Sequence, residues 1–414
     1  MSDLPSGWQQ CQLKNLLAGP IRNGYSPVCP KEPTGKWMLH LGAVSAGGYN
    51  RHAVKPAPAN DPGVDEAMLS PGDILVSRSN TRERVGLAGI YDGDPTPCSY
   101  PDLLMRVRVK FDVDRQFLTY TLLSEAGRSY FQRCARGTSG SMLKIDRGIL
   151  EGFPVSLPPL PEQRKIAAVL SSIDDAIERT ESAATQIGVL REELLRDLLS
   201  EEKWAAGVGV PAGTDGSSRG KWAVQLLGDV ADFDNGRAFN ADDWGKEGLP
   251  IIRIQNLNGG TEFNYFGGQP DRRDFVDPGD LLFSWSGSRG TSFGPFIWNG
   301  PRGVLNQHIF NVRNLRLVSK PFLYWVLSFL VERIEEQAHG AAGLVHIKKS
   351  ELKAFRVPVP PPSEQNRISM TLDSNLQAEE ANGNLLRALR DLKVGLSAAL
   401  LSGELRVTPD EATT

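Results

Sequence analysis

The sequence repeats itself with a period of about 200 residues, and this repeat constrains the fold more than any other feature. A chain that carries the same motifs twice in the same order is expected to fold as two similar modules. The matching segments are Gly7-Trp8 with Lys221-Trp222, Pro71–Leu75 with Pro278–Leu282, Phe117-Leu118 with Phe322-Leu323, Gly137–Gly140 with Gly340–Gly343, Pro158–Gln163 with Pro360–Gln365, and Leu198–Ser200 with Leu400–Ser402.

Each repeat opens with a variable block of short β-strand patterns separated by Gly, Asn and Pro turns. A short amphipathic helix follows, over Gln116–Arg133 in the first copy and Pro321–Gln337 in the second. The aromatic residues on these helices are expected in the core: Phe117, Tyr120, Phe322 and Trp325. The predicted strands are Ile74–Ser77 and Leu103–Val109 in the first copy, and Leu281–Ser284 and Ile309–Val312 in the second.

A proline-rich stop then leads into a long helix in each repeat, from about Pro161 to Glu201 and from about Ser363 to Ser402. Apolar or small residues recur at steps of three and four, which is coiled-coil spacing. Matched helices of about 60 Å, at 1.5 Å per residue, are expected to pack on each other. The predicted contact residues are Ile166, Leu170, Ile173, Ile177, Ile187 and Leu194 in the first helix and Ile368, Leu372, Leu386, Leu389 and Leu396 in the second, and the stripe also includes Leu190 and Leu392.

These patterns predict an α+β protein with domain boundaries at the ends of the long helices. The two variable blocks span residues 1–157 and 221–357, and the long helices span 158–203 and 358–406. The segment 204–220 is rich in Gly and Ser and is predicted to be a flexible linker, and residues 407–414 are predicted to be a disordered tail.

Composition and short motifs argue against catalysis and metal binding by this chain. The net charge is −3, and none of the four cysteines forms a Cys-x-x-Cys pair. The Gly-rich segment 207–213 follows a helix and lacks the spacing of a dinucleotide loop. The Asn/Asp-Pro-Pro-aromatic tetrapeptide of a DNA methyltransferase is absent from the sequence. No catalytic residue and no metal ligand is therefore predicted, and no signal peptide or membrane span, so a cytoplasmic protein is expected.

The repeated junction resembles that of a known family. A variable block ends in Pro-Pro-Leu-Pro-Glu-Gln-Arg-Lys-Ile, residues 158–166, continues into a long helix that ends Leu-Leu-Ser, and the plan then repeats. This arrangement resembles the specificity subunits of Type I restriction–modification systems over almost the whole chain. The second junction departs slightly, with Ser363 and Asn366 in place of Pro161 and Arg164.

The resemblance implies a fold and a set of partners. The variable blocks would be two mixed α/β target recognition domains, each reading one half of a bipartite double-stranded DNA target. The long helices would separate them as an antiparallel coiled coil with an internal pseudo-two-fold repeat. They would also dock two methyltransferase subunits, which restriction subunits join. The chain itself would need no cofactor, because S-adenosylmethionine, ATP and Mg are expected on the partner subunits.

Polar loops are the candidate DNA contacts in each block, because Arg and Asn can read bases while Ser and Lys suit phosphates. Trp285 in the second loop is open to two interpretations, a core anchor or a base-stacking residue. The candidates are Arg78, Ser79, Asn80, Arg82, Arg84, Ser139, Ser141 and Lys144 in the first block and Ser284, Ser286, Ser288, Arg289 and Lys348 in the second.

Two other functions remain as alternatives at this stage. The chain could be a coiled-coil scaffold that never touches DNA, which salt-sensitive DNA binding by the assembled complex would contradict. It could also be an enzyme in its own right, a fused methyltransferase or nuclease, which an assay of the isolated chain would test.

Overall fold

A computed structural model describes residues 4–137, 142–200, 222–340 and 344–408. The predicted linker 204–220, most of the predicted tail, and the candidates Ser139 and Ser141 lie outside the described residues. The chain divides into two compact units. The first unit is Met1–Glu181 with Asn384–Thr414, and the second unit is Ser182–Gly383.

The two predicted long helices are confirmed, as Leu160–Leu198 and Pro362–Ser402. The boundary between the units crosses both helices near their middle, so each helix contributes one half to each unit. Ser363 and Asn366 do not delay the second helix, which begins at Pro362.

The first unit is built around a four-stranded antiparallel sheet. One of its two central strands, Ile74–Ser77, is buried throughout, as its three consecutive apolar residues predict. The strands in spatial order are Arg22–Asn23, Leu104–Val107, Ile74–Ser77 and Ala88–Ile90. A second sheet has the order Cys98–Ser99, Trp37–Leu39 and Val54–Pro56, and its first pair is parallel. The remaining strands pair as Gln9–Gln12 with Pro154–Leu157, Ser79–Asn80 with Leu143–Lys144, and Val44–Ser45 with Gly48–Tyr49. The shorter α-helices are Pro62–Glu66, Arg115–Leu123, Glu125–Cys134 and Arg147–Glu151.

The second unit repeats this plan around a central strand, Leu281–Ser284, that is again buried throughout. The antiparallel sheet has the order Asp232–Asn235, Ile309–Arg313, Leu281–Ser284 and Gly294–Ile297. The other sheet has the order Tyr265–Phe266, Leu249–Ile252, Gly303–Leu305 and Phe275–Val276, with a parallel central pair. The remaining strands pair as Ala223–Leu226 with Arg356–Val359 and Ser286–Ser288 with Leu344–His346. The shorter α-helices are Leu227–Val230, Ile254–Leu257, Lys320–Gln337 and Lys349–Lys353.

The common strand order confirms the internal repeat. It also shows one pair of equivalent residues that is not among the matching segments of the sequence. Asn23-Gly24 and Asn235-Gly236 end equivalent edge strands. A Cβ atom on Gly24 would lie 2.0 Å from the carbonyl oxygen of Tyr100, and one on Gly236 would lie 2.1 Å from that of Asn306. Only glycine fits where the backbones approach this closely.

The short amphipathic helix predicted over Gln116–Arg133 is in fact two helices, Arg115–Leu123 and Glu125–Cys134. Ser124 separates them because its hydroxyl accepts a hydrogen bond from the amide of Gly127 and caps the second helix. The predicted core aromatics are all buried, and two of them bind the long helices. Tyr120 donates to Asp174 at 2.7 Å, and Trp325 donates to Asp373 at 2.8 Å.

The Glu-Gln pair of the repeated junction has a structural role. The side-chain oxygen of Gln163 accepts from the amide of Asp114 at 2.8 Å, and its nitrogen donates to the carbonyl of Pro158 at 2.8 Å. Gln365 makes the same two bonds, to the amide of Ser319 and the carbonyl of Pro360. Both glutamines are buried, so each fixes the start of a long helix to the start of a shorter one.

In the first unit the two long helices pack antiparallel. Ile166 and Leu170 share a core cluster with Leu400 and Leu401, and Leu396 packs against it. Towards the middle of the helices, Asp174 pairs with Lys393 at 2.5 Å, and Glu181 pairs with Arg390 at 2.7 Å. Residue numbers rise along one helix as they fall along the other, which defines the antiparallel direction.

The same direction holds within the second unit, where Arg191 pairs with Glu379 and Leu198 shares a core cluster with Ile368 and Leu372. Burial is strongest near the outer ends of the contact and weaker in the middle. Leu190 and Leu392, which the predicted stripe includes, are 48% and 49% exposed. Of the other predicted contact residues, Ile173 is buried, and the half-buried ones are Ile177, Ile187, Leu194, Leu386, Leu389 and Leu396.

Candidate nucleic-acid interface

A two-stranded ribbon in the first unit brings together two loops that the sequence places far apart. Ser79–Asn80 pairs with Leu143–Lys144, with Lys144 opposite Ser79 and Leu143 opposite Asn80. The candidates Ser79, Asn80 and Lys144 therefore belong to one small surface. We call this pair of strands the first ribbon.

The loop that follows the first strand of the ribbon, Thr81–Val85, carries two exposed cations. Arg82 and Arg84 are exposed, and their guanidinium groups form no hydrogen bond or ion pair with another described residue. Arg128 fixes the loop by donating hydrogen bonds to the carbonyls of Val85 at 2.7 Å and Glu83 at 2.8 Å. Burial lowers the pKa of the Arg128 guanidinium. No sequence pattern indicates this role of Arg128, because its partners are backbone atoms about 45 residues away.

Arg78 and Ser79 are less available than the sequence suggested. Arg78 is half-buried, and its guanidinium donates to the carbonyl of Asp102 at 3.4 Å. Ser79 is fully buried, and its hydroxyl has no hydrogen-bond partner among the described residues. Asn80 is half-buried, and its side-chain oxygen accepts from the amide of Thr81 at 2.9 Å.

The second unit has an equivalent ribbon, which we call the second ribbon. Ser286–Ser288 pairs with Leu344–His346, with Ser286 opposite His346. Ser284 is fully buried at the end of the preceding strand, Ser286 is half-buried, and Ser288 is exposed. The second ribbon thus presents Ser288 more openly than the other two serines.

Arg289 is exposed in the turn of the second ribbon and has no partner among the described residues. The turn is anchored by Glu335, which accepts a hydrogen bond from the amide of Gly290 at 2.8 Å. Lys348 is also exposed, and its Nζ atom lies 3.8 Å from Oε1 of Glu351. A hydrogen bond from His339 lowers the pKa of the Glu351 carboxyl.

Trp285 occupies the place in the second unit that Arg78 occupies in the first, because both follow the last serine of the buried central strand. Its ring stacks on Phe310 with centroids 5.7 Å apart and meets His308 edge-on at 5.3 Å. Its Nε1 atom is buried and has no partner among the described residues. The stacking on Phe310 makes Trp285 a core anchor on one face.

The described residues hold no group of three or more His, Cys, Asp or Glu side chains placed to bind a metal ion. Among the helices described here, none is both long and apolar enough to cross a membrane.

Comparison with known proteins decides the family. The profile of the family described as "Type I restriction modification DNA specificity domain" matches residues 64–186 and again 219–387, which is more than half of the chain. The chain belongs to this family. The resemblance inferred from the repeated junction is confirmed, and the two matches follow the internal repeat.

Relatives that match over nearly the whole chain or over part of it are also named as specificity subunits. The putative MjaX specificity subunit of Methanocaldococcus jannaschii is 25% identical over 98% of this chain and 96% of its own length. The EcoBI specificity subunit of Escherichia coli is 27% identical over 44% of this chain and 39% of its own. Both are specificity subunits of type I restriction enzymes by name. This specificity-family chain therefore serves sequence-specific DNA recognition within a restriction–modification complex.

Solved structures support the fold of this family member. The S subunit of a Type I restriction–modification system from M. genitalium matches with a TM-score of 0.62, 16% identity and 99% coverage of both chains. A chain from a study of complex assembly and conformational transition of the type I system matches with a TM-score of 0.59 and 18% identity, over 98% of this chain and 100% of its own.

Proposed function

We propose that the chain selects a bipartite DNA target with its two units, which share one fold but present different side chains to the DNA. The observation that carries the proposal is the pair of ribbons, which extend from equivalent strands but differ in side chains. Arg78, just before the first ribbon, is equivalent to Trp285, just before the second, and Asn80 in the first ribbon is equivalent to Gly287 in the second. Equivalent frames with different side chains would read two different half-targets.

The chemistry of the exposed residues suits this role. The guanidinium groups of Arg82, Arg84 and Arg289 make no hydrogen bond or ion pair with a described residue, and arginine can bind the guanine edge in two places or neutralise a phosphate. Lys144 and Ser288 are exposed on the same ribbons and suit phosphate contacts. We assign the exposed and half-buried residues of the predicted loops to DNA contact on this basis. Ser79 and Ser284 are buried, and the hydroxyl of Ser284 donates to the carbonyl of Ser286 at 3.1 Å.

We further propose that two methyltransferase subunits, and restriction subunits with them, dock along the long helices. Large apolar side chains stay exposed on these helices: Val189, Leu190 and Met370 in the second unit, and Leu385, Leu392 and Val394 in the first. Exposed apolar surface of this kind marks sites of protein association. In this proposal the chain is non-catalytic and acts in the cytoplasm, and the predicted domain boundaries still apply. The cofactors S-adenosylmethionine, ATP and Mg belong to the partners.

The test is to map methylated adenines in cells that express the methyltransferase subunit with and without this chain. We expect a motif of two different halves separated by unread bases, present only when the chain is present. A motif that does not depend on the chain, or a single continuous motif, would contradict the proposal. Methyl transfer by the purified chain alone would contradict its non-catalytic role.

A further inference from the structure

We propose that a polar pocket in the second unit, formed by Arg253, Gln255, Asn306 and His308, reads a purine in the half-target of that unit. The inference rests on the proposed function, and it assigns base reading to residues outside both predicted loops. The pocket has a volume of about 140 Å³, and Ile254 and Ile309 complete its lining.

Two parallel strands bring the pocket residues together. Leu249–Ile252 runs parallel to Gly303–Leu305, so the two strands end at the same edge of their sheet. Arg253 follows the first strand and Asn306 follows the second, and the amide of Asn306 donates to the carbonyl of Ile252 at 3.0 Å. Polar side chains that are distant in sequence therefore converge at this edge.

The pocket borders the second ribbon. The amide of Trp285 donates to the carbonyl of His308 at 3.2 Å, and Trp285 directly precedes the ribbon strand Ser286–Ser288. The rings of Trp285 and His308 are 5.3 Å apart. A DNA segment bound along the second ribbon would therefore lie close to the pocket.

Two pocket side chains use part of their hydrogen-bonding capacity within the protein: the side-chain oxygen of Asn306 accepts from the amide of Gln307 at 2.8 Å, and Nε2 of His308 lies 3.2 Å from the side-chain nitrogen of Gln307. Other polar groups of the pocket have no partner among the described residues. Nδ1 of His308 is buried without a partner among the described residues. The guanidinium of Arg253 lies over the ring of Trp244 at 4.5 Å, and it makes no ion pair in the part of the chain that the structure describes. Stacking on the ring holds the guanidinium plane in place and leaves its N–H groups available.

These residue types match the edge of a purine. A guanidinium suits the two acceptors of guanine, and a side-chain amide suits the donor and acceptor of adenine. Arg253, Gln255 and Asn306 provide one guanidinium and two amides around a single opening. A cation is also favoured beside the phosphates of DNA. The geometry therefore points to a purine rather than a pyrimidine at the position that meets this pocket.

Among the described residues of the first unit, the equivalent positions do not carry the same set of side chains. The amide of Arg78 donates to the carbonyl of Leu103 at 2.8 Å, which is the counterpart of the bond between Trp285 and His308. Leu103 thus takes the place of His308, and Pro101, two residues earlier, takes the place of Asn306. Neither Leu103 nor Pro101 can read a base edge by hydrogen bonding, so the effect of the pocket should be limited to one half-target.

The test uses the complex of this chain with its methyltransferase subunits, and DNA libraries randomised over both half-targets. Arg253→Ala and Gln255→Ala should lower the preference for a purine at one or two neighbouring positions of one half-target by about tenfold or more. The other half-target should be read as by the unmodified complex. Arg273→Ala and Gln269→Ala are matched controls, because both residues are exposed in the same unit outside the pocket.

Each alternative result has a distinct meaning. If the unmodified complex reads a bipartite target and both pocket variants keep its base preferences and thermal stability, the pocket assignment is wrong and the proposed function stands. A uniform loss of affinity for all sequences, with a salt dependence shallower by about one unit, would assign the pocket to phosphate and overturn base reading. An unmodified complex without a bipartite target would overturn the proposed function and this inference together.

Discussion

The carboxylate of Glu162 accepts two hydrogen bonds from the guanidinium of Arg406, at 2.6 and 2.9 Å. Glu162 is buried in the first turn of the first long helix, and Nε1 of Trp8 donates a third bond to it at 3.1 Å. Arg406 also donates to the carbonyl of Ser6 at 3.3 Å. Within the first unit, the buried carboxylate of Glu162 therefore binds both Trp8, near one end of the chain, and Arg406, near the other.

Replacing Arg406 by Ala should destabilise the first unit. The change leaves the buried Glu162 carboxylate with Trp8 as its one remaining donor outside the helix among the described residues, and a poorly paired buried charge is costly. We expect the Tm of the protein to fall by about 4 °C or more in a thermal melt. Arg387→Ala is the control, because Arg387 is exposed and its one side-chain partner in the described part of the chain is Asn384 on its own helix. Equal melting of both variants would show that the Glu162 pair contributes nothing.

The buried glutamines of the repeated junction should be equally sensitive in both units. Gln163→Ala removes partners from the amide of Asp114 and the carbonyl of Pro158, and Gln365→Ala does the same for Ser319 and Pro360. Each buried group left unpaired costs about 1–3 kcal/mol, so each variant should lose about that much free energy of unfolding or more.

Denaturant unfolding of the two glutamine variants would measure this loss, with Gln377→Ala as an exposed control on the second long helix. Glu in place of either glutamine should also destabilise, because an ionised carboxylate cannot donate to a carbonyl. A Glu variant as stable as the unmodified protein would mean that the amide nitrogen of the glutamine is unimportant.

The sequence was sufficient for the long helices and the central strands because their patterns are local. The strands Ile74–Ser77 and Leu281–Ser284 each begin with three consecutive apolar residues, and both long helices follow a proline-rich start. The exposure of Leu190 and Leu392 was not predictable in this way. A helix of 3.6 residues per turn drifts by about 20° per heptad relative to a strict 3.5-residue repeat, so spacing alone does not define the contact line over forty residues.

The ribbons and the pocket depend on contacts between distant residues, which a single sequence does not encode locally. Ser79 meets Lys144, and Arg253 meets Asn306, only through strand pairing. The two-residue strands of the first ribbon are too short to give a periodic pattern. The loop residues were therefore predictable as polar and turn-like, whereas their neighbours and their burial were not.

Lengthening both long helices by one heptad should widen the gap between the half-targets. Insertions after Ala184 and after Leu385 would add about 10 Å at 1.5 Å per residue, which equals about three base pairs at 3.4 Å each. Both half-sequences should stay unchanged, because the ribbons lie outside the helices. Mapping methylated adenines in cells with the lengthened chain gives the new gap. New bases within a half-target would show that the helices do more than separate the readers.

The exposed arginines of the two ribbons should act on different half-targets. Arg84→Ala removes a guanidinium with no described partner from the first ribbon, and Arg289→Ala does so from the second. An arginine that reads guanine contributes roughly 1–3 kcal/mol of discrimination, so each variant should relax one position of one half-target by about tenfold or more. Arg78→Ala should have a mixed effect, because its guanidinium also binds the carbonyl of Asp102 within the protein.

Binding of the methyltransferase complex to libraries randomised at each half-target, at two salt concentrations, separates the possible roles of Arg84 and Arg289. A base-reading arginine changes the preference at one position and leaves the salt dependence nearly unchanged. A phosphate-binding arginine lowers the affinity for all sequences and makes the salt slope shallower by about one unit. Since each ribbon belongs to its own compact unit, a loss of preference in both half-targets from either single variant would contradict the separation of the two readers.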